Sequence, residues 1–322
     1  MTVLVPFCTD TDLNALAPFS DKIELYGGFM DPEWASAFGS DYGLNRMSSF
    51  QRDANFCSFD EMLVAVDSAA AHGIRVSLVF NALHYDQEQS LFIKQHYFSR
   101  LSKNGLDTGV IVSCKELVRY ASSMRLRTSV STIAGVYNAQ IAAMYQKEGA
   151  DSVILPRELN LDEVSSIKHC VPILDYEVFL MSNGCRYSDA VCMGCHIPHK
   201  GGLCQQLDQS RCTIESRLPF EENNAQWMSS MCFHNMFMKD ACGLCSLWRL
   251  CHIGVNKFKL VGRSAGFKTI FNTLQLILKN IDIAKSCDDE MTYLNHMIMP
   301  ANQASRCTGG FNCYYPEVRF PQ

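Results

Sequence analysis

The stretch Ile74-Arg75-Val76-Ser77-Leu78-Val79-Phe80-Asn81 decides the fold class, because it is a β-rich run that directly follows an amphipathic helix. In residues 60–71, Met62, Leu63, Val66 and Ala70 share one helical face, and Gly73 follows as a stop signal. A helix joined to a buried strand by a short turn is the repeating unit of a parallel α/β sheet. We therefore expect the same unit to recur along the chain.

Strand-like runs do recur, at a spacing of roughly 25 residues. With residues 74–81 there are eight of them, the others lying at 2–6, 22–28, 108–113, 127–131, 151–155, 175–180 and 257–263. Eight strands that alternate with helices predict an α/β fold of the TIM-type (β/α)8 barrel class. We expect a single barrel domain over residues 1–298, with residues 181–251 as a cysteine-rich insertion between strands 7 and 8, and an irregular C-terminal tail over 299–322.

The composition narrows the class of protein. The chain has 322 residues, 48% of them hydrophobic, and can bury a large core. Its net charge of −5 gives no general electrostatic footprint for nucleic acid, so a nucleic-acid partner is not expected. Residues 1–6 do not resemble a signal peptide, and no apolar run reaches the roughly 20 residues of a membrane helix. We therefore predict a cytoplasmic protein with no membrane partner.

Polar side chains end several of the predicted strands. In a barrel these strand ends lie together on the face that carries active sites, so they are the candidate catalytic residues. Glu177 is the most informative of them, because it lies inside an apolar run where a carboxylate needs a partner. The candidates are Asn81, Ser131, Arg157, Glu158, Glu177 and Arg263.

Nine of the 16 cysteines fall between Cys185 and Cys251. In a cytosolic chain such a density indicates a metal, a cluster or redox chemistry rather than disulfides. Cys192-x2-Cys195 and Cys242-x2-Cys245 have the spacing of zinc knuckles, whereas a 4Fe–4S cluster accepts four thiolates at wider spacing. Spacing alone leaves the two open. Sequence signatures of a serine nucleophile, a zinc protease or a phosphate-binding loop are absent.

Several segments together resemble the peptidase U32 family, also called collagenase-like proteases. The resemblance includes Arg52-x2-Asn55-Phe56, Ser131 with Asn138, and residues 149–159, where a strand ends in Arg157-Glu158-Leu159. It continues through Glu177-Val178-Phe179, Cys185-x-Tyr187-Ser188-x3-Cys192, Gly202-Leu203-Cys204, Asp240-Ala241-Cys242 and Gly254–Arg263.

This resemblance implies a TIM-type barrel and a 4Fe–4S cluster held by Cys185, Cys192, Cys204 and Cys242. It also implies oxygen-independent hydroxylation or related redox chemistry on a small molecule or peptide, with prephenate as a hydroxyl donor. The chain departs from the family pattern at Met181, near the usual place of a histidine, and at Asp189, where the family has glycine. Extra cysteines, Cys195 above all, leave the ligand set open.

These observations define the hypotheses to be tested. In the first, Arg157 and Arg263 bind a substrate carboxylate, Glu158 and Glu177 transfer protons if burial raises their pKa, and Asn81 and Ser131 position the substrate. A buried structural ion pair is the alternative role for each charged residue. The rival functions are a U32-type peptidase or hydrolase, and a non-catalytic cluster-bearing subunit that partners a related U32-family chain.

Overall fold

The computed structural model describes residues 1–40, 42–47, 54–182, 184–185, 188–190, 237–238, 241–301, 307 and 313–318. Eight parallel strands in this part of the chain form a closed barrel, because the first strand pairs with both the second and the last. The strands, numbered along the chain, are β1 Thr2–Pro6, β2 Ile23–Phe29, β3 Asn55–Phe56, β4 Arg75–Phe80, β5 Thr108–Val112, β6 Arg127–Val130, β7 Ser152–Ile154, β8 Asp175–Met181, β9 Gly184–Cys185, β10 Phe237–Met238 and β11 Lys257–Leu260.

The barrel runs in the order β1, β2, β4, β5, β6, β7, β8 and β11. This confirms the predicted (β/α)8 class, and each of the eight strand-like runs supplies one barrel strand. The short β3 adds to β2 at its C-terminal end, and β9 pairs with β10 in a separate antiparallel ribbon. Neither of these short pairings was predicted, because two-residue strands carry almost no periodic signal.

Helices follow most of the barrel strands, and their boundaries reflect local capping. Ser58 accepts a hydrogen bond from the Glu61 amide at the start of α3, and a capping box of Asn160 and Glu163 begins α8. The helices are α1 Leu13–Leu16, α2 Pro32–Phe38, α3 Phe59–Ala71, α4 Gln87–Phe92, α5 Ser99–Lys103, α6 Lys115–Ser123, α7 Ala139–Lys147, α8 Leu161–Cys170, α9 Leu247–Ile253, α10 Phe267–Ser286 and α11 Glu290–His296, with a π-helical turn at Ile93–Phe98. None of the described helices is long and apolar enough to cross a bilayer.

The inside of the barrel contains two buried ion pairs between strands. Near its N-terminal end, Glu24 of β2 accepts hydrogen bonds from Ser77 of β4 at 2.5 Å and from Arg127 of β6 at 2.6 Å. Further along, the Lys259 ammonium of β11 lies 2.5 Å from the Glu177 carboxylate of β8. A buried carboxylate that loses its partner is strongly destabilising, so these pairs restrict which strands can be neighbours.

The cysteine-rich insertion lies between β8 and β11, the seventh and eighth barrel strands, as the sequence predicts; its residues 191–236 lie outside the described part of the chain. The described part of the tail, residues 313–318, packs against the C-terminal end of β8. Tyr315 donates a hydrogen bond to the Phe179 carbonyl, and the Tyr314 ring lies 6.0 Å from that of Phe179.

Candidate functional site

Arg263 lies just beyond β11, buried at the C-terminal end of the barrel. Its guanidinium contacts two neutral acceptors, Oδ1 of Asn55 at 3.5 Å and Oδ1 of Asn45 at 3.3 Å. Both asparagines are themselves buried. Among the residues that the structure describes, no carboxylate forms an ion pair with Arg263. Burial lowers the pKa of this guanidinium, and the nearby charge of Arg46 acts in the same direction.

Gly28 of β2 makes room for this guanidinium. A Cβ atom at residue 28 would lie 2.5 Å from Nη1 of Arg263 and 2.7 Å from Oδ1 of Asn55. Any side chain would therefore displace the arginine or the asparagine. We call Gly28, Asn45, Asn55 and Arg263 the Arg263 site.

A second cationic group lies close by, and here the chain supplies its own carboxylate. Nε and Nη2 of Arg157 lie 3.2 and 2.7 Å from Oδ2 of Asp189, while Arg46 binds Oδ1 of the same carboxylate. The Asp189 side chain is 1% exposed. Burial alone would raise its pKa, but the two guanidiniums hold the pKa at about 2. We call Arg46, Arg157 and Asp189 the Asp189 bridge.

Asn81 and Ser131, both predicted as site residues, lie together at the same end of the barrel. Nδ2 of Asn81 donates to Oγ of Ser131 at 3.1 Å, and Oδ1 of Asn81 accepts from the Arg46 amide at 3.1 Å. These two contacts connect the ends of β4 and β6 to the loop that carries Asn45 and Arg46. The pair therefore helps to hold both the Arg263 site and the Asp189 bridge in place.

The two predicted proton-transfer residues lie apart from each other. Glu158 is exposed and accepts a hydrogen bond from the Tyr137 hydroxyl at 3.2 Å, so the burial that the hypothesis required is absent. Glu177 is buried inside the barrel, where its carboxylate binds Lys259. The Lys259 ammonium also lies 3.7 Å from the centre of the Tyr26 ring. The neighbourhood of Glu177 is that of a structural ion pair.

Two of the four expected cluster ligands lie in the described part of the chain. Cys185 is half-buried in β9, and Cys242 is buried and pairs in single bridges with Met181 and Cys313. The Tyr314 amide donates to the Cys242 carbonyl at 3.0 Å and its hydroxyl donates to the carbonyl of Ser182, three residues before Cys185, so both cysteines lie at the C-terminal end of β8. Burial raises the pKa of Cys242 to about 12, and the neighbouring Cys245, Cys307 and Cys313 add to this effect.

Cys192 and Cys204 lie outside the described residues. Within the described ranges, no three Cys, His, Asp or Glu side chains are arranged to hold a metal ion. That observation does not conflict with the four expected cluster ligands, because only two of them lie in the described ranges. Thiols at the end of the barrel are soft donors suited to an iron–sulfur cluster, and a bound metal would deprotonate them.

A cavity of about 760 Å³ lies at the opposite end of the barrel. Its lining includes Thr2, Arg75, Asp175 and Lys257, which begin their strands, and none of the predicted site residues. Active sites of such barrels lie at the C-terminal ends of the strands, so we assign the candidate site to the end that carries Arg263.

The fold and this arrangement of arginines, asparagines and cysteines define a barrel protein with a cluster of buried arginines beside a thiol-rich segment. The family model of peptidase family U32 matches residues 41–320, and the chain belongs to this family. A solved structure of a U32 peptidase has a TM-score of 0.42 at 16% identity, covering 61% of this chain and 77% of that one.

Curated relatives carry names of two different kinds. The chain is 22% identical to a collagenase of Porphyromonas gingivalis, over 84% of this chain and 66% of that protein. It is 23% identical to tRNA hydroxylation protein P of Escherichia coli, over 80% of this chain and 67% of that protein. The 23S rRNA 5-hydroxycytidine C2501 synthase of the same organism is 26% identical, over 64% of this chain and 30% of that protein. The chain thus spans about two thirds or less of the relatives that it matches.

Two of these relatives carry the names of enzymes, a collagenase and a synthase. Two of the names refer to RNA, so the expectation that nucleic acid is not a partner gains no support.

Sequence reasoning missed Arg46, Asn45 and the role of Asp189. Asp189 did stand out as a departure from the glycine of the family pattern, whereas Asn45 and Arg46 lie in a loop without a recognised motif.

Proposed function

We propose that this protein is a 4Fe–4S-dependent enzyme of the U32 family that hydroxylates its substrate without oxygen, or carries out related redox chemistry. The observation that carries the proposal is the Arg263 site. Within the described part of the chain, the side-chain acceptors that contact this buried guanidinium are neutral, and a buried charge of this kind is costly unless an anion joins it. An anionic substrate or co-substrate at this site would supply the missing charge.

Cys185, Cys192, Cys204 and Cys242 would hold the cluster, which when bound supplies one-electron transfer. The position of Cys185 and Cys242 supports this assignment, because Cys242 pairs with Met181 at the end of β8, next to the strand end that carries Arg263, and β9 with Cys185 follows β8 directly. The chain's own residues would then bind and orient the substrate next to the cysteine-rich segment.

Arg263 would bind a carboxylate of the co-substrate through the guanidinium donors that Asn45 and Asn55 leave available. Asn81 and Ser131 would fix the loop on which Asn45 and Arg46 lie. Glu158, exposed beside Tyr137, would be the candidate for proton transfer at the rim of the site, and Glu177 would serve as the structural partner of Lys259 inside the barrel. Prephenate is the hydroxyl donor that the family resemblance suggests.

Two observations bear on which molecule would accept the hydroxyl group. The relatives named for tRNA and rRNA hydroxylation favour an RNA base, whereas the net charge of −5 favours a small molecule or peptide. The relative named collagenase favours peptide hydrolysis as a second candidate function. A non-catalytic role beside a related U32 chain is the third.

Anaerobic purification followed by iron, sulfide and zinc analysis tests the proposal. We expect about four irons and four sulfides per chain, lost in a Cys185→Ser/Cys192→Ser variant. Cys170→Ser is the matched control, because Cys170 is exposed on α8, and it should retain the iron. Stoichiometric zinc in the wild-type chain would instead contradict the cluster and favour the hydrolase.

A further inference from the structure

The candidate site contains two buried positions for an anion. A carboxylate of the chain occupies one of them, and no carboxylate of the described residues occupies the other. At the Asp189 bridge, the chain's own carboxylate fills the space between two guanidiniums. At the Arg263 site, the guanidinium faces the amide oxygens of Asn45 and Asn55, and no carboxylate of the described residues pairs with it. Asn45, which accepts from Arg263, and Arg46, which binds Asp189, are consecutive residues of one loop, so the two positions lie side by side.

Both oxygens of the Asp189 carboxylate accept hydrogen bonds from arginines. Oδ2 accepts from two nitrogens of Arg157, and Oδ1 accepts from Arg46. The Arg157 guanidinium also makes a cation–π contact, since it lies 4.2 Å from the centre of the Phe179 ring. Since the pKa of Asp189 is about 2, this carboxylate carries its charge at any ordinary working pH.

We propose that Asp189 is a specificity-determining residue, which fills the second anion position from within and restricts the site to substrates that place one carboxylate on Arg263. The inference rests on the proposed function in taking this end of the barrel as the substrate site, and it replaces prephenate, the donor that the family resemblance suggests, with an acid that carries a single carboxylate. A monocarboxylate completes the charge at Arg263 and leaves the bridge intact. A dicarboxylate would bring its second negative charge against Asp189, or would have to displace Asp189 from both arginines.

The distinction can be measured with two related acids. Phenylpyruvate and prephenate share a pyruvyl carboxylate, and prephenate carries a second carboxylate on its ring. We expect the wild-type chain, purified anaerobically and titrated by calorimetry, to bind phenylpyruvate at least as tightly as prephenate. Asp189→Asn removes the negative charge of this side chain and keeps its shape. The ratio of the affinity for prephenate to that for phenylpyruvate should therefore rise by about tenfold or more, which corresponds to about 1.4 kcal/mol.

Three further variants keep the test decisive. Asp189→Gly should shift the ratio in the same direction, which covers the case where the asparagine variant fails to fold. Arg263→Gln should abolish the binding of both acids. The exposed Asp162→Asn, on α8, should leave the ratio unchanged.

The inference is overturned if the wild type prefers prephenate, if neither Asp189 variant shifts the ratio, or if neither acid binds. Iron and sulfide are measured on the same preparations. A shifted ratio in protein without iron would contradict the cluster proposal alone, and an iron-loaded protein with an unshifted ratio would contradict this inference alone.

Discussion

Gly28 shows how a single missing side chain can create a binding position. Its Cα hydrogen faces the Arg263 guanidinium, and a methyl group there would collide with Nη1 and with the amides of Asn45 and Asn55. None of these atoms can yield cheaply, because the arginine and both asparagines are buried.

We therefore predict that Gly28→Ala weakens the binding of a carboxylate at Arg263 by about tenfold or more, since overpacking of a buried site costs about 1–3 kcal/mol. Titration with phenylpyruvate measures the effect. Gly266→Ala is the control, because the nearest atom to its new Cβ would be Asp10 Oδ2 at 3.9 Å. Unchanged affinity in Gly28→Ala would mean that the ligand does not use Arg263.

Arg157 and Glu158 show where single-residue prediction from sequence reaches its limit. Both follow β7 and both are charged, so the sequence treats them alike as site candidates. In the structure the Arg157 side chain is 6% exposed and lies in the bridge, while Glu158 turns outward to Tyr137. Which of two neighbours points inward depends on the exact end of the strand, and strand ends are the least predictable feature of a sequence.

At the scale of elements, the barrel strands were predictable and the contacts of the insertion were not. Most barrel strands are short runs rich in apolar or β-branched residues between turn signals, and local pattern is enough to find them. The role of Asp189 depends on Arg46 and Arg157, which are distant in sequence and meet it only after the barrel closes. No local pattern could have brought these three residues together.

The tail segment 313–318 behaves as part of the barrel wall. Tyr314 and Tyr315 are buried, the Tyr314 amide bonds to the Cys242 carbonyl, and its hydroxyl donates to the Ser182 carbonyl. Ser182 has a positive φ of 67°, which is unusual for a residue with a side chain. The tail therefore braces the strained start of the insertion.

We predict that Tyr315→Ala lowers the free energy of unfolding by about 3 kcal/mol or more, because it removes a large buried ring and its hydrogen bond. Urea denaturation followed by circular dichroism measures the change. Tyr42→Ala is the matched control, since Tyr42 is 60% exposed and its loss should have little effect. Equal stability of the two variants would show that the tail does not stabilise the barrel.

At the scale of the whole molecule, stability in acid should depend on the buried carboxylates that face arginines. The pKa of Asp189 is about 2 in the folded chain, below the roughly 3.9 of an unfolded aspartate. A lowered folded-state pKa gives stability that is fully present above the unfolded value and is lost as the pH falls toward the folded value. Glu24, which faces Arg127, also has a lowered pKa and acts with the same sign.

We therefore expect the stability difference between wild type and Asp189→Asn to be largest above about pH 4 and to shrink as the pH approaches about 2. Urea midpoints measured at about pH 5 and pH 2.5 provide the comparison, with Asp162→Asn as the exposed control. A difference that stays constant over this range would show that Asp189 is not the charged partner of the two arginines.

The Asp189 bridge also has a consequence for how this sequence can change over time. Its three side chains come from the loop after β2, the end of β7 and the insertion, yet they form one charge-balanced unit. A chain that replaced Asp189 alone would leave two guanidiniums facing each other, and one that replaced Arg157 alone would weaken the hold on a buried carboxylate. Substitutions at 46, 157 and 189 should therefore be epistatic, so that viable descendants change these positions together and a mutant library should sample them as a set.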